Sequence, residues 1–449
     1  MSDHRSVGCM HTRDSSVFDM DNRTSAVART KVRSTLVFVK RVPARLLVGT
    51  VLGGLCVGIS APSASADSGP CVRYAVEVIQ GPFCGFGLYP VTQGHGVSGG
   101  TVVGYYSTCI SLVDRAFVAA PGQAMVTLPM IPGTVDMQAE DINGVSQVVG
   151  WAKTGAGEYL AFLRSGGVTT VLQTPAGFAG SKAWSLNDAG IIVGESYEPD
   201  APEATVWVGG EPTQILPTVS SSRAADVNET NRVVGWMDAT GTQTHAFLYN
   251  LDTGELTNLG HLPDGTGAAT AINECGQIVG FGIAELPDGS TITRAIVWMS
   301  GLMQVLEPLP GFKRSAANDI NDDGIVVGQC WGTAASINAS TAFVWRDGVM
   351  RDLNELLLPG SGLDMRVARA IDAEGRITGY AADSRNDVVA VRLTPVQPPL
   401  GDLDCDGSVN ASDLAILLGG WNLPGAGDLD RDGAVGPPDL AILLGAWTS

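Results

Sequence analysis

The fold class predicted by this sequence is mainly β: a seven-bladed β-propeller followed by a small α-helical module. Three observations predict it. A Val-Val-Gly string recurs seven times along the middle of the chain, an unpartnered β-like segment precedes the first copy, and two acidic loops stand in tandem near the C-terminal end. Self-similarity at a fixed period is the signature of a repeat architecture.

Taken along the chain, the first 66 residues differ in kind from the rest. They are basic, then apolar from Leu46 to Ile59, then small, with Ala64-Ser65-Ala66 placed like a cleavage site. This order predicts a secretory signal peptide and leader over residues 1–66, and an extracellular, secreted or cell-surface protein. The apolar run is short and glycine-rich beside the roughly 20 residues of a membrane span, so no span is expected in the mature chain. The leader holds nine of the 27 basic and four of the 46 acidic residues, which leaves a net charge of −24 on the remainder. Such a chain repels phosphate backbones and anionic membranes, which argues against nucleic acid, and it is a natural host for divalent cations. Beyond the leader stand Cys71, Cys84, Cys109, Cys275, Cys330 and Cys405. An oxidising compartment permits disulfides, with Cys71 and Cys84 the most local pair and Cys109 in competition. No C-x-x-C spacing supports a zinc ribbon or a thioredoxin-like site.

The repeat occupies residues 67–395. Its marker appears at Val102-Val103-Gly104, Val148-Val149-Gly150, Ile192-Val193-Gly194, Val233-Val234-Gly235, Ile278-Val279-Gly280, Val326-Val327-Gly328 and Ile377-Thr378-Gly379, with spacings of 41 to 51 residues. Before the marker comes a polar turn, as in Asn187-Asp188-Ala189-Gly190 and Asn321-Asp322-Asp323-Gly324. Asn and Asp start such a turn, and Gly takes the positive φ at its end. Asn231 stands in for Gly in the fourth unit, while Ser146 in the second predicts a different turn there. After the marker come a polar loop, an apolar strand such as Ala342-Phe343-Val344-Trp345, another turn and a fourth strand. Four short strands at this period are the footprint of a propeller blade.

The ends of the repeat bear on closure. The seventh unit supplies three strands, ending at Val388–Leu393, and the segment Tyr74–Ile79 has no blade of its own. The N-terminal segment is therefore expected to complete the last blade and close the ring, which removes exposed sheet edges. The units resemble the bacterial extracellular repeats named for their His-Ala-Phe tripeptide, intact here at His245-Ala246-Phe247. The resemblance spans about residues 74–395. It implies a secreted β-propeller-like protein and carries no established activity.

A short Pro-rich linker is expected over residues 396–400, and the C-terminal module over 401–449. The module holds the sharpest motif: Asp402-Leu403-Asp404-Cys405-Asp406-Gly407 with Asp413, then Asp428-Leu429-Asp430-Arg431-Asp432-Gly433 with Asp439. Acids at loop positions 1, 3, 5 and 12 with glycine at 6 match the EF-hand calcium loop. Calcium takes six to eight oxygens, and alternate residues of a tight loop point inward. The expected ligands of two Ca2+ ions are Asp402, Asp404, Asp406, Asn410 and Asp413 with the carbonyl of Ser408, then Asp428, Asp430, Asp432 and Asp439 with the carbonyl of Ala434. Each loop runs into a helix with one apolar face, Leu414, Leu417, Leu418 and Trp421, then Leu440, Leu443, Leu444 and Trp447. Loop, single helix and repeat resembles a type I dockerin over residues 401–447. That resemblance implies a cohesin partner met through the starts of the helices, here Ala411-Ser412 and Pro437-Pro438. The basic residues typical of cellulosomal dockerins are absent from both helices.

On the propeller no nucleophile motif, phosphate loop or histidine cluster appears, so no catalytic residue and no further cofactor is assigned. His245 is expected to be structural, and Glu195, Glu198, Asp200 and Glu203 to form a solvated loop. The residue after the marker glycine is aromatic in five units: Tyr105, Trp151, Trp236, Phe281 and Tyr380. These rings are expected to pack between blades rather than to stack on sugars. The leading functional expectation is a non-enzymatic binding or scaffold protein. Its C-terminal module would take a cohesin-like or other cell-surface protein, and its propeller a glycan. The alternatives are an extracellular polysaccharide-degrading enzyme and a structural component of a surface layer or matrix.

Overall fold

The computed structural model describes residues 72–448 except 84–89, 109–110, 199–200, 217–219, 239–242, 264, 334–335, 337–338, 397–398, 405–406 and 426. The expected leader, the pairing of Cys71, Cys84, Cys109 and Cys405, and Asp406 lie outside the described residues. The chain forms seven antiparallel four-stranded sheets, the blades of a β-propeller. The innermost strands are Thr92–Ser98, Thr134–Ile142, Gly180–Leu186, Ser222–Val227, Ala268–Ile272, Phe312–Ile320 and Asp364–Ile371. Each packs against the next and the first against the last, so the ring closes. Among the described residues no helix is long and apolar enough to cross a membrane.

Closure follows the sequence expectation. The strand Arg73–Ile79 is the outermost of the seventh blade, antiparallel to Val388–Val396, with Arg73 opposite Val396 and Ile79 opposite Ala390. The last strand thus runs one residue into the expected linker. Arg392, only 2% exposed, donates to the Glu77 carboxylate on the closing strand and to the Ala119 carbonyl in blade 1. One side chain therefore joins the two ends of the ring.

The marker glycine has a packing reason. In every blade the innermost strand slips register by one residue at the same place, at His95, Glu140, Trp184, Ala225, Thr270, Asn318 and Arg369. Such a bulge re-aims a side chain and bends the strand. Opposite it the second strand comes so close that a Cβ on any of the seven glycines would stand 1.9–2.2 Å from an inner-strand carbonyl oxygen. The glycine is required by space, not by φ. Phe117, Phe162, Phe247 and Phe343 pair with four of these glycines from the third strand and are fully buried. A buried Phe contributes about 1.5–3 kcal/mol, so the Ala-Phe strand and the glycine marker are two halves of one contact.

The turn asparagines lock the blades together. The Nδ2 of Asn143 donates to the Asn187 carbonyl (3.0 Å), Asn187 to Asn228 (3.1 Å), Asn228 to Asn273 (3.1 Å), Asn273 to Asn321 (2.9 Å) and Asn321 to Asp372 (3.2 Å). Asp372 continues the series by accepting from the Gly100 N–H of blade 1 (3.1 Å). Ser146 departs from expectation. It adopts φ 63 where its counterpart Gly190 has φ 83, and its N–H bonds to the Asn143 carbonyl as Gly190 does to Asn187. The turn is kept although serine meets a steric cost of about 1–2 kcal/mol in the left-handed region that glycine does not.

Three carboxylates on alternate blades clamp the next blade. Asp141 accepts from Ile142 (2.8 Å) and Leu186 (3.2 Å), Asp226 from Val227 (2.8 Å) and Ile272 (2.8 Å), Asp319 from Ile320 (2.8 Å) and Ile371 (2.7 Å). Ser185 donates to Asp141 (2.9 Å) or Asp226 (2.6 Å) from between them.

The C-terminal residues form two short helices, α1 (Ala411–Gly419) and α2 (Pro437–Gly445). Val409, Leu417, Val435 and Leu443 form their buried core. The expected apolar face is narrower than its spacing suggested. Leu418 and Leu444 are each 51% exposed and Trp447 is 42% exposed, because the helices meet through Leu417 and Leu443. Cys275 is disulfide-bonded, and Cys330 is a buried free thiol.

Candidate functional site

Two places gather chemistry. The first is the pair of C-terminal loops. Among the described residues, two groups bring one carboxylate oxygen from each of three residues within 4.8 Å of one another: Asp402 with Asp404 and Asp413, and Asp428 with Asp430 and Asp432. The backbone draws these acids together. Asp402 accepts from the Gly407 N–H (3.0 Å) and Asp428 from Gly433 (2.9 Å), which folds position 1 over position 6 in both loops. Glycine meets that bend with φ 91 at Gly407 and φ 105 at Gly433.

The position-12 acids do double duty. Asp413 accepts from Leu403 (2.6 Å), Asp404 (3.0 Å) and Asn410 (2.8 Å), and Asp439 accepts from Leu429 (2.6 Å), Asp430 (3.0 Å) and Gly436 (2.6 Å). Burial pushes the Asp413 carboxyl up, but these backbone N–H groups outweigh it and hold it below the usual range. For Asp439 the bond from Asp430 leads the same downward shift. Asp430 goes the other way, raised by burial and then by the charges of Asp432, Asp439 and Asp428. Asn410 caps α1 by accepting from Ser412 (2.8 Å), whereas Gly436 caps α2 without a side chain. Ser408 lies in the first loop, half-buried, and Ala434 in the second, exposed. The donor set is all oxygen, the set that hard divalent cations prefer.

The second place belongs to the propeller and was not legible in the sequence. It joins the slip residues of blades 1 to 3 to residues near the marker glycines. Glu140 contacts His95 Nδ1 (2.7 Å) and accepts from Trp151 Nε1 (2.7 Å). Arg223 donates to both oxygens of Glu195 (2.6 and 3.1 Å), and its guanidinium lies 4.7 Å from the Trp184 ring centre and 6.0 Å from that of Trp236. The Lys182 Nζ stands 4.1 Å from the Tyr159 ring centre, 4.8 Å from Trp151 and 5.5 Å from Trp184. Among the described residues no carboxylate lies within ion-pair reach of that ammonium. Among the described residues His95 Nε2, Trp184 Nε1 and Tyr197 Oη are buried without a hydrogen-bond partner.

Burial pushes the Glu140 carboxyl up, and His95 with Trp151 brings it below its ordinary value. Burial depresses the Lys182 ammonium, with Arg223 adding to the effect against Glu195 and Glu140. Glu195 was expected in a solvated loop; it is buried on the strand Ile192–Glu198, because Arg223 of the next blade covers it. Tyr105, Trp236 and Phe281 are buried as expected, and Trp151 and Tyr380 are half-buried. In blades 5 to 7 the positions matching Lys182 and Arg223 are Ala268, Ala316 and Val367, so the charge belongs to one side of the ring. His245 stacks on His261 with ring centres 4.3 Å apart, a pairing that their sequence separation hides.

No family model matches the chain, and no curated protein matches it. Solved structures do. TolB from Acinetobacter baumannii is similar at 12% identity and a TM-score of 0.37, over 66% of this chain and 64% of that one. A Mycobacterium tuberculosis puromycin-hydrolyzing peptidase is similar at 11% and 0.45, over 74% and 53%. An oligogalacturonate lyase from Vibrio parahaemolyticus is similar at 11% and 0.44, over 72% and 98%. The chain spans less than two thirds of the first two. Likeness at this level carries no argument about activity.

Proposed function

We propose that this chain is a secreted, non-enzymatic binding or scaffold protein in which His-Ala-Phe-type repeats build the propeller. In this reading residues 1–66 are a leader, 67–395 the propeller, 396–400 a linker and 401–449 a dockerin-like module. The module holds two Ca2+ ions and attaches the protein to a cohesin-like or other cell-surface partner, while the propeller offers its surface to a glycan. The observation that carries the reading is the doubled Asp-x-Asp-x-Asp-Gly loop, each copy followed by a helix whose first turn holds the position-12 acid.

Calcium would neutralise acids that otherwise repel one another in each loop. The module has four fully buried apolar side chains, a small core, so metal binding would supply part of its folding energy. Isothermal titration calorimetry of the chain with calcium tests the proposal. Two ions are expected, one in the Asp428→Ala variant and none when Asp402→Ala is added. Failure of the unmodified chain to bind calcium ends the reading.

A further inference from the structure

We propose that the charged and aromatic cluster on blades 1 to 4 is a binding subsite for the carboxylate of a ring-bodied ligand, of which a uronic acid is the simplest. The proposal deepens, and rests on, the reading of the propeller as the ligand-presenting part. An indole N–H and an ammonium only donate. Both carboxylates of the cluster are committed, Glu140 to His95 and Trp151, Glu195 to Arg223. Among the described residues Trp184 Nε1 has no acceptor, and Lys182 faces three aromatic rings with no ion pair.

A buried donor without an acceptor is destabilising, so its retention needs a reason. The group that completes these donors is an acceptor, and beside an ammonium the stronger acceptor is anionic. His95 adds a second edge. Its Nδ1 is turned to the Glu140 carboxylate, which leaves Nε2 buried and unmatched for a polar atom of the ligand. The rings of Trp151, Tyr159 and Trp184, all half-buried, give apolar surface for the body of the ligand, with Trp151 and Tyr159 edge to face at 73°. Burial and then Arg223 hold the Lys182 ammonium below its ordinary range, and an arriving carboxylate opposes that shift.

The test is titration of the intrinsic tryptophan fluorescence of the chain with D-glucuronate, D-glucose and acetate, in calcium and in EDTA. Glucuronate is expected to quench saturably. Glucose, which lacks the carboxylate, and acetate, which lacks the ring, are each expected to bind about tenfold or more weakly. Lys182→Gln is expected to lose about tenfold in glucuronate affinity, and Lys182→Arg less. Trp184→Phe removes the N–H while keeping a ring, and gives the same reading should Lys182→Gln fail to fold. Equal responses to glucuronate and glucose, no saturation by any of the three, or parental affinity in a folded Lys182→Gln or Trp184→Phe chain overturns the proposal. The calcium and EDTA arms separate it from the metal reading. A chain that binds glucuronate in both has a subsite whatever its loops hold, and a chain that binds two calcium ions but no glucuronate has lost only the subsite.

Discussion

Replacing Asn187 by alanine tests whether the turn asparagines hold the blades in register. Asn187 is buried and makes two side-chain bonds. Its Nδ2 donates to the Asn228 carbonyl of the next blade (3.1 Å), and its Oδ1 accepts from the Ile191 N–H of its own turn (2.9 Å). Alanine removes both and strands the Ile191 N–H, while the Asn228 carbonyl keeps the Asn231 N–H of its own turn (3.2 Å). At a net of about 1 kcal/mol per bond, with a further penalty for the one N–H left unpaired, the loss is about 2–4 kcal/mol. The link from Asn143 to the Asn187 carbonyl is backbone-directed at residue 187 and survives. Urea unfolding followed by tryptophan fluorescence, with a shared slope for parent and variant, reads the difference as a shift in midpoint. Asn187→Asp sharpens the test. It keeps the acceptor for Ile191 but sets an oxygen against the Asn228 carbonyl, unless that acid is protonated and donates. The folded state then binds the proton more tightly than the unfolded state, so the variant loses stability as pH rises from about 4. A loss below about 0.5 kcal/mol for Asn187→Ala, the scale of an ordinary surface change, would refute the inter-blade role.

The remaining predictions use the same assay. Burial pushes the carboxyls of Asp141 up to about 7 and of Asp319 up to about 8, with Asp226 also raised. Acids whose folded value is raised destabilise the fold as they ionise, so the urea midpoint is expected to fall between about pH 4 and pH 8, each group contributing at most about 1.4 kcal/mol per pH unit. Glu140 and Asp413, shifted downward, act only below that window. A midpoint that rises from pH 5 to pH 8 contradicts this assignment. Gly235→Ala puts a Cβ 1.9 Å from the Arg223 carbonyl, and overpacking against backbone is expected to cost about 3 kcal/mol or more, read as loss of soluble folded chain. Arg392→Met leaves the Ala119 carbonyl and the half-exposed Glu77 without their shared donor; a destabilisation of about 1–2 kcal/mol is expected, with limited proteolysis cutting first near residues 72–80.

Much of the architecture was legible because it repeats. Seven markers at near-constant spacing, four strand-like runs per unit, one spare strand before the first unit and one strand missing from the seventh admit few topologies, and ring closure is the one that fills the gap with the spare strand. The acidic loops were legible because the spacing of their carboxylates is local, set by residues a few positions apart. The widths of the helical faces were not. Leu418 and Leu444 obey helical spacing, yet nine-residue helices meeting along one line bury only Leu417 and Leu443.

What the sequence by itself determined is therefore the period, the blade count, the closing strand and the tandem loops, all carried by short-range pattern. Only the tertiary structure decided why the marker must be glycine, since the carbonyl it avoids lies on another strand behind a register slip that leaves no trace in composition. It also turned the asparagines from turn formers into links between blades, because the carbonyl each one reaches lies 41 to 51 residues away. The cluster around Lys182 and Trp184 belongs to the same class. Its members come from different units, occur once rather than seven times, and meet only because adjacent blades bring their inner strands together.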